Sequence, residues 1–337
     1  MNVHRATKPL ALLLVVALSA TSCTRSESQT RQPDEDLQIV TTFLPITNFT
    51  LAVVGDRAQV TQLLPPNVSP HDYQAKPQDV QRIAEADLLI ENGLAVEEFL
   101  SDLIDSANNP DLILVDSSKN IAATPLREGG QASPDRDHSS FEKNHTGSES
   151  HRHENSDLHT HGEFDPHIWL DPKKAQRQVA NIRDALIAAD PEGTDIYTDN
   201  AKAYIQQLQA LDQKISQSLA PYAEQTLVSY HDFADHFSQS YGIYVEHIVD
   251  VPEATPTPAD MQRVIETAER SELKTLLSES AEQNQRLTAL AKDMNIQISQ
   301  FDPMENSGPE GQSPHYYLMT MTQNLENLEA AFAKSVP

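Results

Sequence analysis

The feature that most constrains the fold is a pattern played twice. Short β-rich apolar runs alternate with helix-period segments on both sides of one long helical stretch. In the first half the strand-like runs are Leu37–Phe43, Gln59–Leu64, Asp87–Ile90 and Leu112–Val115, separated by helical segments at Ile46–Val54, Pro77–Glu85 and Val96–Ser106. The spacing then predicts a helix over Lys173–Ala189, broken by Asp190-Pro191, and a longer one over Asp195–Leu219. Ile196, Tyr204, Ile205, Leu208, Leu211 and Ile215 recur there at steps near three and four. The alternation restarts with strands at Thr226–Ser229, Ile243–Ile248, Thr275–Leu277 and Ile296–Phe301, helices between them, and a closing helix over Tyr316–Ala333. Such alternation builds parallel sheets flanked by helices. The expectation is therefore an α/β protein of two lobes, each a four-stranded parallel sheet, with the long segment as a rigid connector. A chain of 337 residues suits two domains better than one core. The expected division is an N-terminal lobe over 37–190, a linker helix over 191–220 and a C-terminal lobe over 221–337.

Parallel sheets bind ligands in the loops at the carboxyl ends of their strands, so those loops are where chemistry is expected. His71 lies in one, PPNVSPHDY, and His231 directly follows a strand in LVSYHDFADHF. Asp302 directly follows another in ISQFDPMENSG, and His167 sits between two Asp-Pro pairs in FDPHIWLDP, two residues before the single Trp, Trp169. Taken one at a time these have ordinary readings: a surface His at 71, a helix-start residue at 231, a turn former at 302. Taken together, four N/O donors on four loops suit a borderline divalent ion such as zinc. His236, five residues from His231, would stand about 140° round a helix and could not clamp the same ion. His247 within a strand and His315 after Ser-Pro read as structural or surface residues. No pair of histidines has the spacing of a zinc hydrolase helix, and there is no cysteine ligand for a finger. A four-donor site across two lobes leaves no position for a reacting water, which favours capture over catalysis. A metal-dependent hydrolase would need a general base, for which Glu163 and Asp165 are the local candidates. Asp165 reads better as a group that orients an imidazole.

Upstream of His167, the periodicity stops between Ala122 and Glu163, where apolar residues are too few to bury a core. Six of the 13 histidines fall here: His138, His145, His151, His153, His159 and His161. The expectation is a disordered loop that holds additional zinc loosely through pairs such as His151/His153 and His159/His161. The charge balance points the same way. With 24 Lys+Arg against 50 Asp+Glu the net charge is −26, which excludes nucleic acid and anionic surfaces as partners and suits small cations.

The first residues read as an address. Arg5 and Lys8 precede an apolar run, Leu10–Leu18, too short to remain as a membrane span, and small residues lead to Cys23. The segment resembles a bacterial lipobox, with Ala20 where Leu is more usual. That implies a signal peptide over 1–22, lipid on Cys23, a tether over 23–36, and an exported, lipid-anchored protein on the periplasmic side or cell surface. One cysteine allows no internal disulfide.

At the segments TTFLPITNFTLAVVGD, LLPPNVSPHDYQAKPQDVQRIAEADLLIENG, DPHIWLDP, VSYHDFADHFSQSYG, PEATPTPADMQRVIETAER and FDPMENSG, the chain resembles the metal-binding solute receptors of bacterial ABC importers, the cluster A-I group, most closely its zinc branch. The resemblance spans Leu37 to the C-terminus. It implies two lobes joined by a rigid helix with the metal in the cleft, and His71, His167, His231 and Asp302 as ligands. It further implies zinc as cargo, a membrane permease as partner, a monomer and no enzymatic activity. In the manganese branch the position of His231 is usually Glu, and a third imidazole favours zinc. The segment LLSES around Glu279 departs from the zinc branch's aromatic-rich pattern. A manganese receptor and an adhesin on the same fold are the alternatives.

Overall fold

The protein, seen here in a computed structural model, is described over residues 37–126 and 163–333, apart from 253, 272–274 and 280. Cys23 with the rest of the leader and tether, and the loop histidines 138, 145, 151, 153, 159 and 161, lie outside the described residues.

Strands β1 (Gln38–Thr41), β2 (Gln59–Gln62), β3 (Leu88–Glu91) and β4 (Ile113–Asp116) form one parallel sheet in the order β2-β1-β3-β4. Strands β5 (Thr226–His231), β6 (Tyr244–Val249), β7 (Thr275–Ser278) and β8 (Gln297–Gln300) form a second parallel sheet in the order β6-β5-β7-β8. The two orders are the same, so the repeated pattern in the sequence is a repeated topology. The inner strands are apolar on both faces because helices cover both: Ile39, Val40, Leu88, Leu89 and Ile90 are all buried.

Helix α1 (Leu44–Val54) starts two residues before the apolar period suggests, with Pro45 in its first turn. Proline has no N–H to lose there and its φ already suits a helix, so the residue that seems to end the strand opens the helix instead. Helices α2 (Pro77–Ala84) and α3 (Leu100–Ala107) complete the first half, followed by α4 (Pro172–Ala189), whose N-cap Asp171 accepts from the Lys173 amide at 2.9 Å. Helix α5 (Thr194–Leu219) has 26 residues; at about 1.5 Å per residue it is a rod about 39 Å long. Tyr197, Ala201, Tyr204, Leu208, Leu211, Ile215 and Leu219 make one buried stripe along it. That stripe packs on α1 and α4 of the first half, and on α6 (Asp235–Tyr241) and α9 (Tyr316–Ala333) of the second. Helices α7 (Pro258–Ser271) and α8 (Ala281–Asp293) flank the second sheet. No described helix is long and apolar enough to cross a membrane.

Polar contacts also join the halves. The Trp169 indole donates to the Pro303 carbonyl at 2.8 Å, the Tyr317 hydroxyl donates to the Trp169 carbonyl at 2.6 Å, and the Asn48 amide donates to Gly311 O at 2.7 Å. These bonds lie in buried surroundings where a lost partner would be costly, so the facing loops are held in register. The carboxyl ends of β2, β5 and β8, with the turn ahead of α4, are thereby brought together.

Candidate metal centre

His71 follows β2 in a single 3-10 turn, Pro70–Asp72, whose N-cap Ser69 accepts from the His71 amide at 3.2 Å. Pro70 fixes φ at the start of that turn, so the imidazole is carried on stiff backbone. His167 follows Pro166 and precedes the short 3-10 turn Ile168–Leu170. Asp165 accepts from the His167 amide at 2.9 Å, and the same oxygen stands 2.7 Å from His167 Nδ1. One carboxylate thus sets both the backbone turn and the ring orientation. The Trp169 ring, fully buried, backs the His167 ring at 5.1 Å between centroids. The turn is also held from the first sheet: the Asn92 amide donates to the Pro166 carbonyl at 3.0 Å, and Gln178 donates to Asn92 Oδ1 at 2.9 Å. His231 ends β5, its amide donating to Glu279 Oε1 at 3.1 Å and its Nδ1 lying 2.8 Å from Glu279 Oε2.

The three imidazoles expected from the sequence do come together, with ring centroids 5.4 to 5.8 Å apart. The fourth member is Glu305. Its Oε1 stands 3.4 Å from His71 Nε2, 3.3 Å from His167 Nε2 and 3.2 Å from His231 Nε2. One donor atom from each of the four residues falls within 4.8 Å of all the others. Ser69 Oγ donates to the other Glu305 oxygen at 3.2 Å and fixes the carboxylate plane.

Asp302, expected as the fourth ligand, is not part of this group. Its carboxylate accepts from the Met304 amide at 2.7 Å, closing the turn that follows β8, while its own amide donates to Asn324 at 2.8 Å. It is the turn former that its Asp-Pro setting allows. The turn continues through Met304 in the left-handed region, φ 60°, and that reversal sends Glu305 into the cleft. Glu305 and Glu279 are the two acidic groups at the site that sequence reasoning missed. His236 is directed away from the group: its Nε2 donates to the Asp165 carbonyl at 2.9 Å, with Lys174 and Thr124 at Nδ1. His247 lies between Asp232 and Asp250, and His315 is exposed. Glu163, one of the two candidate bases, is exposed, and the other, Asp165, is already engaged with His167.

Burial alone would push the imidazoles toward the neutral form, yet the facing carboxylates win. Burial lowers His167, and hydrogen bonds from Asp165 and then Glu305 outweigh it, holding the ring up at about 9. His231 is likewise lowered by burial and raised well above its usual range by Glu279 and then Glu305. Glu305 is opposed by burial but pulled well below the usual carboxylate range by His71 and His231. Asp302 is pushed up to about 6 by burial, although the Met304 amide opposes that shift. The centre therefore pairs the protonated imidazoles of His167 and His231 with the ionised Glu305, and a divalent ion would replace those protons as the counter-charge.

The Asp165 contact carries a prediction of its own. Asp165→Asn should weaken binding of a divalent metal ion at this centre by about 10- to 100-fold, the usual effect of removing the carboxylate behind a metal-bound imidazole. Competition with a chelator of known affinity measures this, and an unchanged constant would mean that Asp165 does not orient His167.

Residues 39–331 match the family described as zinc-uptake complex component A, periplasmic. A manganese-binding lipoprotein, MntA, of Halalkalibacterium halodurans is 27% identical over 326 residues, covering 96% of this chain and 97% of its own length. The high-affinity zinc uptake system protein ZnuA of Bacillus subtilis is 29% identical over 322 residues, covering 95% of this chain and 94% of its own. The crystal structure of Zn(II)-bound AdcA from Streptococcus pneumoniae superposes with a TM-score of 0.70 at 25% identity, covering 88% of this chain. This chain spans 58% of the length of that longer protein. With the matched region extending from the first strand almost to the end of α9, the chain belongs to the family of the periplasmic component A of zinc-uptake complexes.

Proposed function

We propose that this protein captures a zinc ion at His71, His167, His231 and Glu305 and presents it to the membrane permease of an ABC importer. The family is one of metal-binding receptors for such importers; the choice of zinc is the finer reading. One observation carries it. In a tetrahedral zinc site with bonds of about 2.0–2.2 Å, adjacent donor atoms stand about 3.3–3.6 Å apart. Glu305 Oε1 is 3.2, 3.3 and 3.4 Å from the three Nε2 atoms, so three of the six edges of that tetrahedron are already in place. Three imidazoles with one carboxylate form a nitrogen-rich set that suits zinc, whereas manganese prefers oxygen. The names ZnuA and AdcA support zinc, while the name of MntA keeps manganese as the competing ion.

The same reading assigns the remaining segments. Cys23 is the proposed lipid anchor, in keeping with relatives named as lipoproteins. The histidine pairs between Ala122 and Glu163 are proposed to hold further zinc ions more weakly than the centre. Native mass spectrometry with equimolar zinc and manganese tests the assignment. It should show one retained zinc per chain, with further ions lost to a weak chelator, and deletion of Asp135–His161 should remove only the latter. Manganese holding the centre against equimolar zinc would reverse the choice of ion. Loss of the retained ion on deletion would move the primary ligands into the loop.

A further inference from the structure

The carboxylate that orients His167 is itself held from the other half of the molecule. His236 lies in α6, which opens shortly after His231 ends β5, and its ring is wholly buried. Its Nε2 donates to the Asp165 carbonyl at 2.9 Å. The same nitrogen stands 3.5 Å from Asp165 Oδ2, a buried oxygen that makes no hydrogen bond. On the far side of the ring, Nδ1 accepts from Lys174 of α4, and Thr124 Oγ1 stands 3.1 Å away. Accepting at Nδ1 while donating at Nε2 leaves one form of the imidazole, neutral with its proton on Nε2. Burial favours that neutral form, and Lys174 and His167 add to it against the opposing pull of Asp165.

Asp165 is gripped at both of its backbone groups. Its amide donates to the Thr124 carbonyl at 2.8 Å, its carbonyl accepts from His236, and Pro166 after it restricts it to extended backbone. The Thr124 hydroxyl donates in turn to Gln239 at 3.1 Å, a second residue of α6. Asn92, from the first sheet, reaches the next carbonyl along, that of Pro166. A side chain orients a ligand only as well as its own backbone is fixed. Without the His236 donor the buried Asp165 carbonyl would lose its partner, and the turn would have to shift to regain one. The helix that follows His231 thus fixes the residue that aims His167, and one side chain ties together the ligand carriers of the two halves. The other polar link from α6 differs in this respect. Ser240 donates to Asp171 at 2.7 Å, but Asp171 caps α4 and is not among the clustered donors, so that bond docks the halves without aiming a ring.

Resting on the capture reading above, we propose that His236 is a positioning residue of the centre: through Asp165 it sets the His167 imidazole at the spacing from His231 that the ion requires. His236 does not touch the ion. It governs the fraction of chains in which His167 stands ready, and apparent affinity falls in proportion as that fraction falls.

Competition for zinc ion against a chelator of known affinity, on the full chain, measures this. His236→Leu keeps the bulk of the ring without its donor and should weaken zinc binding by about tenfold, the lower end for groups behind a metal ligand. His236→Gln, whose amide can reach the same carbonyl, should return the constant to near wild-type. In an Asp165→Asn background, adding His236→Leu should weaken binding no further, because both changes act through one side chain. Ser240→Ala should leave the constant near wild-type. In the metal-free wild-type chain, the long-range proton–nitrogen NMR spectrum of the imidazoles should show His236 neutral with its proton on Nε2. Should His236→Leu fail to fold, as its metal-free melting curve would reveal, His236→Gln and that spectrum decide. An unchanged constant in His236→Leu would overturn the role, as would an equal loss in Ser240→Ala, additive losses in the double variant, a large loss in a folded His236→Gln, or a His236 proton on Nδ1. Failure of the wild-type chain to bind zinc would overturn the capture reading, and this role with it, without recourse to any variant.

Discussion

Glu305→Gln will weaken zinc binding by about 100-fold or more, and Asp302→Asn will leave it near wild-type. The magnitude follows from comparison with the supporting shell: groups one step behind a metal ligand already contribute about 10- to 100-fold, and a charged donor in direct contact must contribute at least as much. Glu305 is the negative charge at the point where three imidazoles converge, and Gln keeps its shape while removing that charge. Asp302 spends its carboxylate on the Met304 amide, an interaction that Asn reproduces. Isothermal titration or chelator competition on the two variants reads the contrast directly. The reverse result, with Asp302→Asn losing the ion and Glu305→Gln keeping it, would put the fourth ligand back at Asp302.

The second large effect is on pH. Zinc needs neutral imidazoles, and in the metal-free protein His167 holds its proton up to about 9 because Asp165 and Glu305 favour the imidazolium over the opposing effect of burial. His231 is shifted in the same direction by Glu279 and Glu305. Protons therefore compete with zinc through the whole range from about 9 downward, and not only below the reference value of about 6.5. Apparent affinity should fall by about one log unit per pH unit for each proton displaced, with one to two displaced near neutrality. The stability of the metal-free protein runs the opposite way. A group whose folded value is raised contributes fully below its unfolded value of about 6.5 and loses that contribution as pH rises through about 9. The metal-free melting temperature should thus decline between these values, and the increase caused by zinc should widen. Melting curves with and without zinc at pH 6, 7.5 and 9 measure both trends; a zinc increment that shrank as pH rose would contradict the charge assignment.

Much of this architecture was legible in the sequence because it depends on period. Strands at 37–43, 59–64, 226–229 and 296–301, and the helix from about 195 to 219, are set by runs of apolar residues, and each is present within a few residues of its expected bounds. The three histidines were legible because His231 stands at the end of β5, His167 between rigid Asp-Pro pairs and His71 directly after a proline in the loop that follows β2. The role of Asp165 was legible for the same reason, being two residues from the ring that it holds. Glu305 was not legible. Its position depends on a non-glycine residue, Met304, taking positive φ, and on the Asn324 side chain of a distant helix bracing Asp302. Neither leaves a signal in composition or period. In FDPMENSG the first acid after the strand looks like the ligand, while in the fold it closes the turn that brings the second acid inward. Glu279 was hidden likewise, since it directly follows the neighbouring strand β7 and meets His231 across a separation of 48 residues.

X-ray absorption at the zinc edge, on protein loaded with one equivalent of zinc at pH 7.5, tests the central claim most directly. The account predicts a four-coordinate shell at about 2.0–2.1 Å with the multiple-scattering pattern of three imidazoles and one carboxylate oxygen, losing the carboxylate oxygen contribution in Glu305→Gln. A six-coordinate shell rich in oxygen, or a pattern requiring only one or two imidazoles, would contradict it.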